Sequence, residues 1–413
     1  MERKAVGGDE QQLEKHEQVE EVAGEEGAVQ AGEQELHERN EPEPKANIYE
    51  TLATEFSALK EALKALKVKD GQLQQIIASY QSLLEQSAKH SLSYATTLRA
   101  YERAIEAEDV PAQNKAKREL DGFIMNRMQG ALLEEAFKVQ RAARAQLRWP
   151  LNNRAQNTMV VVDTNGEILG LVRGPDALVD AIDAVPQKAR TTAFFSSPFA
   201  AGDLLANPTP GVADYVAAVR TFLGDPAALT GGTAFSLRAI GNLSRPWFPD
   251  GEVGNPPGPL SIPFERFNIF STGLQSRLIT QDILDHVAFV LNLAANDVPR
   301  ICTRNPVVPA TGRNRINNGI TLFAGGVPIY RNGVLVGAIA ASGDGNDQSD
   351  MIAFLGLHNA GIRLGGALGN APPAIRADLI NVPLAQGSSN LRYVRCPFNP
   401  FVGSNDQNVC QGK

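Results

Sequence analysis

The chain has 413 residues, of which 43% are hydrophobic, enough for two or three domains with a real core. Its net charge of −7 is unevenly placed: residues 1–50 hold fifteen acids against five bases, which leaves the remainder at about +3. That surplus argues against a globular part relying on the positive field that nucleic-acid binding needs. No run approaches the ~18 apolar residues of a membrane span, and MERKAVGGDEQQ lacks the apolar stretch of a secretory signal.

Residues 1–47 are rich in Glu, Gln, Gly and Ala and almost free of large apolar side chains. Such a segment cannot bury enough surface to offset its ordering entropy, so it is predicted to be a disordered acidic tail. His16 and His37 fall in it and read as solvated, since HEQVE lacks the second histidine of a zinc-protease helix. From Leu52 the pattern changes. Between Leu52 and Ile105, sixteen positions step by fours and threes, and thirteen of them are apolar. That spacing predicts a coiled coil or an antiparallel helical hairpin over 48–110, with Asp70-Gly71 as a stutter or turn. Pro111 ends it. A second helical run follows over 112–147, and its Arg127, Lys138, Arg141, Arg144 and Arg148 read as a solvated face with acids interspersed. A seam this long must bury its stripe against something, so self-association or a hairpin is expected.

The globular part, 111–413, is organised around two hairpins. MVVVD (159–163), Asn165-Gly166 and ILGLVR (168–173) form the first; GGVPIY, Asn332-Gly333 and VLVGAIA form the second. Asn-Gly between alternating apolar runs is a strong hairpin signal. The helix after the first hairpin, roughly 177–193, contains Pro186, which predicts a kink or restart. After the second, Ser342-Gly343-Asp344-Gly345 turns the backbone, and Asp347 and Asp350 read as caps of a helix running to about Asn359. Residues 194–320 are long and irregular, with a helix over 273–295, and read as a lid or a decoration. Two helix-followed hairpins imply an α+β fold with one antiparallel sheet.

Familiar catalytic signatures are missing: there is no Walker A sequence, G-x-S-x-G, HExxH or C-x-x-C. The Asp344–Asp350 run resembles the opening of an EF-hand, but Ser349 stands where glycine is needed and Leu355 where glutamate is needed. His286 reads as packed against apolar neighbours. His358, near the end of its helix, suits the helix dipole and is also a candidate iron ligand. Tyr330 is a further conceivable axial ligand, although a strand position favours packing. Arg173, Lys188 and Arg190 are cations near a glycine loop, a set that suits a carboxylate or forms surface ion pairs with Asp176, Asp180 and Asp183. Cys396 and Cys410 are positioned to close one loop if the compartment is oxidising.

VVVDTNGEILGLVRGPDA, VPQKARTTAFFSSP and GGVPIYRNGVLVGAIAASGDGNDQSDMIA together resemble the GlcG/HbpS haem-binding family, a relative of the cobalamin-associated PduO C-terminal domain. The resemblance implies a five-stranded antiparallel sheet flanked by helices, with a large insert at about 194–320. It also implies homo-oligomers that bind haem, or more weakly cobalamin, as a small-molecule ligand. By motif it places ligand contacts at Asp163, Arg173, Gln187, Lys188, Arg190, Ser342, Gly343, Asp344 and Asp347. It marks no axial ligand, so His358 rests on the residue reading alone. The C-terminal NLRYVRCPFNPFVGSNDQNVCQGK is similar to that of exported long-insert members, which leaves the compartment open where no signal is visible. Three readings compete: non-catalytic haem storage or sensing, a small-organic-acid enzyme using Asp344, Asp347 and Lys188, and an oligomeric scaffold.

Overall fold

The structure is a computed structural model that describes residues 71–150, 152–266 and 272–413, with a few positions between 53 and 61. Its contacts divide the chain into two compact units, Met1–Asp121 and Gly122–Lys413. Among the described residues from Gly71 on, the α-helices are α1 (Gly71–Glu106), α2 (Val110–Ala142), α3 (Ala181–Phe195), α4 (Ala200–Leu205), α5 (Ala213–Leu223), α6 (Leu237–Leu243), α7 (Gly273–Val290) and α8 (Asn346–Arg363). The strands are β1 (Thr158–Asp163), β2 (Ile168–Arg173), β3 (Gly326–Arg331), β4 (Val334–Ser342), β5 (Asn381–Leu384) and β6 (Gly387–Asn390).

In the first unit, α1 ends at a tight turn in which Glu108 takes a φ of 51°. The Asp109 carboxylate then accepts from Ala112 N at 3.0 Å. Pro111 lies in the first turn of α2, where a missing N–H forfeits no helical bond. The proline therefore opens the second helix, and the turn at Glu108 closes the first. The acidic tail and the seam positions Leu52 to Asp70 lie outside the described residues. At the described end of the seam, Ile105 is 49% exposed whereas Ala104 is 6% exposed, so the covered face is offset by one residue. Gln113 Nε2 donates to Ala104 O on that face.

The second unit is built on an antiparallel sheet ordered β2-β1-β4-β3. The two hairpins join along β1 and β4, in register from Thr158 opposite Ser342 to Asp163 opposite Gly337. Side chains alternate across the sheet. Met159, Val161, Val327, Ile329, Ile339 and Ala341 face one way, against Leu132 and Ala136 of α2 and Met351, Ile352 and Leu355 of α8. Val160, Val162, Ala338 and Ala340 face the other way, against Val185, Ala189 and Ala193 of α3. Each fully buried Val, Ile, Leu or Met contributes about 1.5–3 kcal/mol through area removed from water. Gly356 lets α8 approach α2 closely, since a Cβ there would lie 2.6 Å from Ala136 Cα.

Asn332 and Gly333, with φ of 50° and 76°, make the turn their sequence predicts. Asn165-Gly166 turns differently: Asp163 Oδ1 accepts from both Asn165 N and Glu167 N at 2.9 Å. The helix α3 runs through Pro186 without restarting, and loses one bond near its first turns. The sheet has four strands rather than five. Next to β3 only Tyr330 and Gly369 form a bridge. Beyond Gly369, Pro372 and Pro373 have no N–H to donate, and Gly365 and Gly366 hold positive φ, so no ladder extends there. The remaining two strands, β5 and β6, form a separate ribbon.

Residues 194–320 are not a loose lid. Phe195, Val216, Phe235, Ile240, Leu274 and Leu278 are buried in a core of their own, shared with Val382 and Leu391 around the ribbon. The helix α7 is capped by Thr272, whose hydroxyl accepts from Gln275 N at 2.9 Å. Cys396 and Cys410 are joined by a disulfide across 14 residues. No described helix is long and apolar enough to cross a membrane.

Candidate functional site

Helix geometry separates the cations expected to act together. Lys188 and Arg190 are two positions apart on α3, so they leave the helix on different sides. Lys188 is 5% exposed, and its Nζ donates to Ala324 O at 2.8 Å and Ala341 O at 3.2 Å. Burial lowers its pKa to about 8, with Asp350 opposing that shift and Arg238 adding to it. Arg190 instead donates to Gly166 O at 2.7 Å and Asn318 Oδ1 at 2.9 Å. Gln187, one turn before it, donates to Asn318 O at 2.9 Å. Arg173 is exposed at the end of β2 and donates to Ala177 O.

The acidic loop is also engaged by protein groups. Ser342 closes β4 opposite Thr158. Gly343 has a φ of 135°, and a Cβ there would lie 2.6 Å from Gln156 O, so the position is open only to glycine. The Asp344 side chain is wholly buried and accepts from Gln146 N at 2.7 Å, Leu147 N at 3.1 Å and Gly345 N at 2.8 Å. Asp347 and Asp350 are not caps, since α8 starts after Gly345 without a side-chain cap. They bind Arg238 of the insert helix α6 instead, at 2.7 Å and 2.5 Å respectively. Asp350 also accepts from Gly325 N at 2.7 Å and Arg395 N at 3.0 Å. Burial raises its carboxyl, and Arg238 opposes that. This cluster fastens the insert and the C-terminal segment to the start of α8.

A cavity of about 690 Å³ lies at the other end of α8, lined among others by Phe354, His358, Asn370, Arg376, Tyr393 and Lys413. That volume falls within the roughly 300–1,000 Å³ of small-molecule and cofactor sites. Phe354 and His358 are four residues apart on α8, so both face the same side. Arg376 lies over the rings of Phe354 and Tyr393, at 5.5 Å and 5.3 Å from their centroids. Desolvation and then Lys413 lower the His358 pKa, which favours the neutral imidazole that offers a lone pair. Tyr330 is 5% exposed in the core, its phenol pushed up to about 12 by burial, and it does not line the cavity. A neutral, packed phenol is a poor iron ligand.

The family described as "Haem degrading protein HbpS-like" matches residues 273–358. The chain carries an HbpS-like region. It runs from the first residue of α7 through β3 and β4 to His358 on α8, and so includes Ser342, Gly343, Asp344 and Asp347. Lys188, Arg238, Arg376 and Tyr393 lie outside the HbpS-like region. No curated protein matches the chain. Among solved structures, one described as "Crystal Structure of PduOC:Heme Complex" is similar at 15% identity, covering 55% of this chain and 86% of that one. Its TM-score is 0.21.

Of the residues singled out by sequence, His358 lines the cavity; the ligand contacts expected at Asp163, Gln187, Lys188, Arg190 and Asp344 hold protein groups instead. Sequence reasoning passed over Arg238, Asn370, Arg376 and Tyr393. Arg376 is one cation in a Gly/Ala/Pro loop, and Tyr393 alternates in a tail segment, so neither carries a local motif.

Proposed function

We propose that the protein binds haem in the cavity at the end of α8, with His358 the residue that meets the iron. The observation that carries this is a histidine opening onto a cavity of about 690 Å³ with Phe354 and Tyr393 in its walls. The HbpS-like region, which ends at that histidine, supports it. Haem supplies an iron centre that takes an imidazole nitrogen and a broad apolar face that packs on aromatic rings. Arg376, held over the rings of Phe354 and Tyr393, adds a guanidinium to the same wall.

The role favoured is non-catalytic, storage or sensing. Lys188, Asp344 and Asp347, the acid–base groups of the organic-acid reading, are bonded within the protein, and none lines this cavity. Haem titrated into the purified protein is expected to produce a Soret shift that His358→Ala removes. An unshifted band, or a shift that His358→Ala leaves unchanged, overturns the assignment. A band that bleaches under a reductant in the presence of dioxygen would replace storage by turnover, and cobalamin in the same titration tests the weaker alternative ligand.

A further inference from the structure

We infer that the open edge of the sheet, strand β2, pairs with the β2 of a second copy of this chain, antiparallel across a two-fold axis.

The two edges of the sheet are finished differently. The outer edge of β3 is blocked: Tyr330 is bridged there to Gly369, and Pro328, two residues earlier and so on the same edge, has no N–H to donate. Among the described residues β2 has no such guard. Ile168–Arg173 holds no proline or lysine, its one neighbour in the sheet is β1, and no bridge forms on its outer side. A bare edge presents a row of unpaired N–H and C=O groups that another strand can take up.

The surface beside that edge is apolar. Ile168 and Leu171 stand opposite Val162 and Val160, so they point to the face that carries α3. The helix runs back along the strand. Arg173 at the end of β2 donates to Ala177 O ahead of α3, and Arg190 late in α3 donates to Gly166 O ahead of β2. Leu178, Val179 and Ile182 therefore flank the far end of the strand, and these three with Ile168 and Leu171 are 41% to 76% exposed. The five side chains offer on the order of 500 Å² of apolar surface, so two copies bury about the 1,000 Å² at which a specific interface begins.

Charge selects a second copy as the occupant. Glu167 precedes β2 and Arg173 ends it. Antiparallel pairing about a two-fold axis sets the Glu167 end of one copy beside the Arg173 end of the other, twice over, with the apolar residues between. Parallel pairing would set like charges together. Both groups retain capacity for a partner: Glu167 meets Arg313 at 3.4 Å with a third of its side chain exposed, and Arg173 meets a carbonyl and no acid among the described residues.

The test is hydrogen exchange of the amides in residues 168–173 of the full chain. Outward amides of an unpaired edge exchange fast, and pairing is expected to slow them by at least about tenfold. Leu171→Lys is expected to abolish the slowing while thermal unfolding shows the variant folded. Glu167→Arg and Arg173→Glu are each expected to abolish it alone, and mixing the two variants to restore it, since each then meets its opposite. Leu284→Lys, on an exposed apolar position of α7, is expected to leave it in place. Fast exchange of these amides in the native chain, slow exchange that Leu171→Lys does not change, or a mixture no slower than its components overturns the inference. Loss of the slowing in Leu284→Lys also overturns it and moves the contact to α7.

Discussion

Arg238→Ala tests whether the acidic start of α8 is held by charge. The substitution leaves the Asp350 carboxylate, wholly buried as a side chain, without its cation. Removing one partner of a buried pair costs about 3–5 kcal/mol. Two donors remain, Gly325 N at 2.7 Å and Arg395 N at 3.0 Å, which places the expected loss at about 3 kcal/mol. The contact to Asp347, a quarter exposed, adds little. Burial already raises the Asp350 carboxyl, and loss of Arg238 raises it further above its unfolded value. The native state then binds more protons than the unfolded chain, so stability falls as pH rises through that window. The variant's deficit is therefore larger at pH 7 than at pH 5. Urea unfolding at both pH values reads it, with Trp247, stacked on Phe264 at 4.6 Å, as the fluorescent reporter. Asp350→Asn in the same chain should recover most of the loss at pH 7. A deficit under about 0.5 kcal/mol, or one equal at both pH values, would refute an electrostatic clasp and leave only lost packing.

Lys188 gives the opposite slope with pH: its pKa falls from 10.5 to about 8 on folding, so between those values the unfolded chain holds the extra proton. The stability difference between the native protein and Lys188→Met should change by about 3 kcal/mol across that window in favour of the native chain, and a flat difference contradicts the buried amine. Reducing Cys396–Cys410 frees a 14-residue loop whose end lines the cavity. It should lower stability by at most about 3 kcal/mol and speed haem transfer to a scavenger protein; an unchanged transfer rate would show that the bond does not hold the wall. Deleting residues 1–110 should leave haem affinity unchanged, which a loss of binding would contradict.

The two hairpins were legible because their signals are local. Asn332-Gly333 needs only its own φ values, and period-two alternation sorts Val160 and Val162 from Met159 and Val161 without reference to anything distant. The charged residues were legible as types but not as partners. Asp347 and Asp350 look like caps because a helix begins beside them, and what claims them instead is Arg238, more than a hundred residues earlier in a segment whose own core had no periodic signature. Likewise Lys188 and Arg190 look convergent in QKAR, and a helix parts them.

The cavity takes this further. Its walls come from the last turns of α8, the loop around Asn370 and Arg376, Tyr393, and the segment that the disulfide returns to the body. Three of those four pieces lie outside the α-helices and strands, so neither a 3.6 nor a 2.0 period marks them. His358 was found because a histidine at a helix end is unusual enough to note on its own. Arg376 was not, because a cation in a glycine- and proline-rich loop acquires meaning only from the rings and oxygens it meets in the folded chain. The electrostatics thus divide the molecule. At the start of α8 the carboxylates of Asp347 and Asp350 have Arg238 as their counter-charge, and that end is structural. Beside His358 the walls enclose a cavity, and that end is where a ligand is proposed to sit.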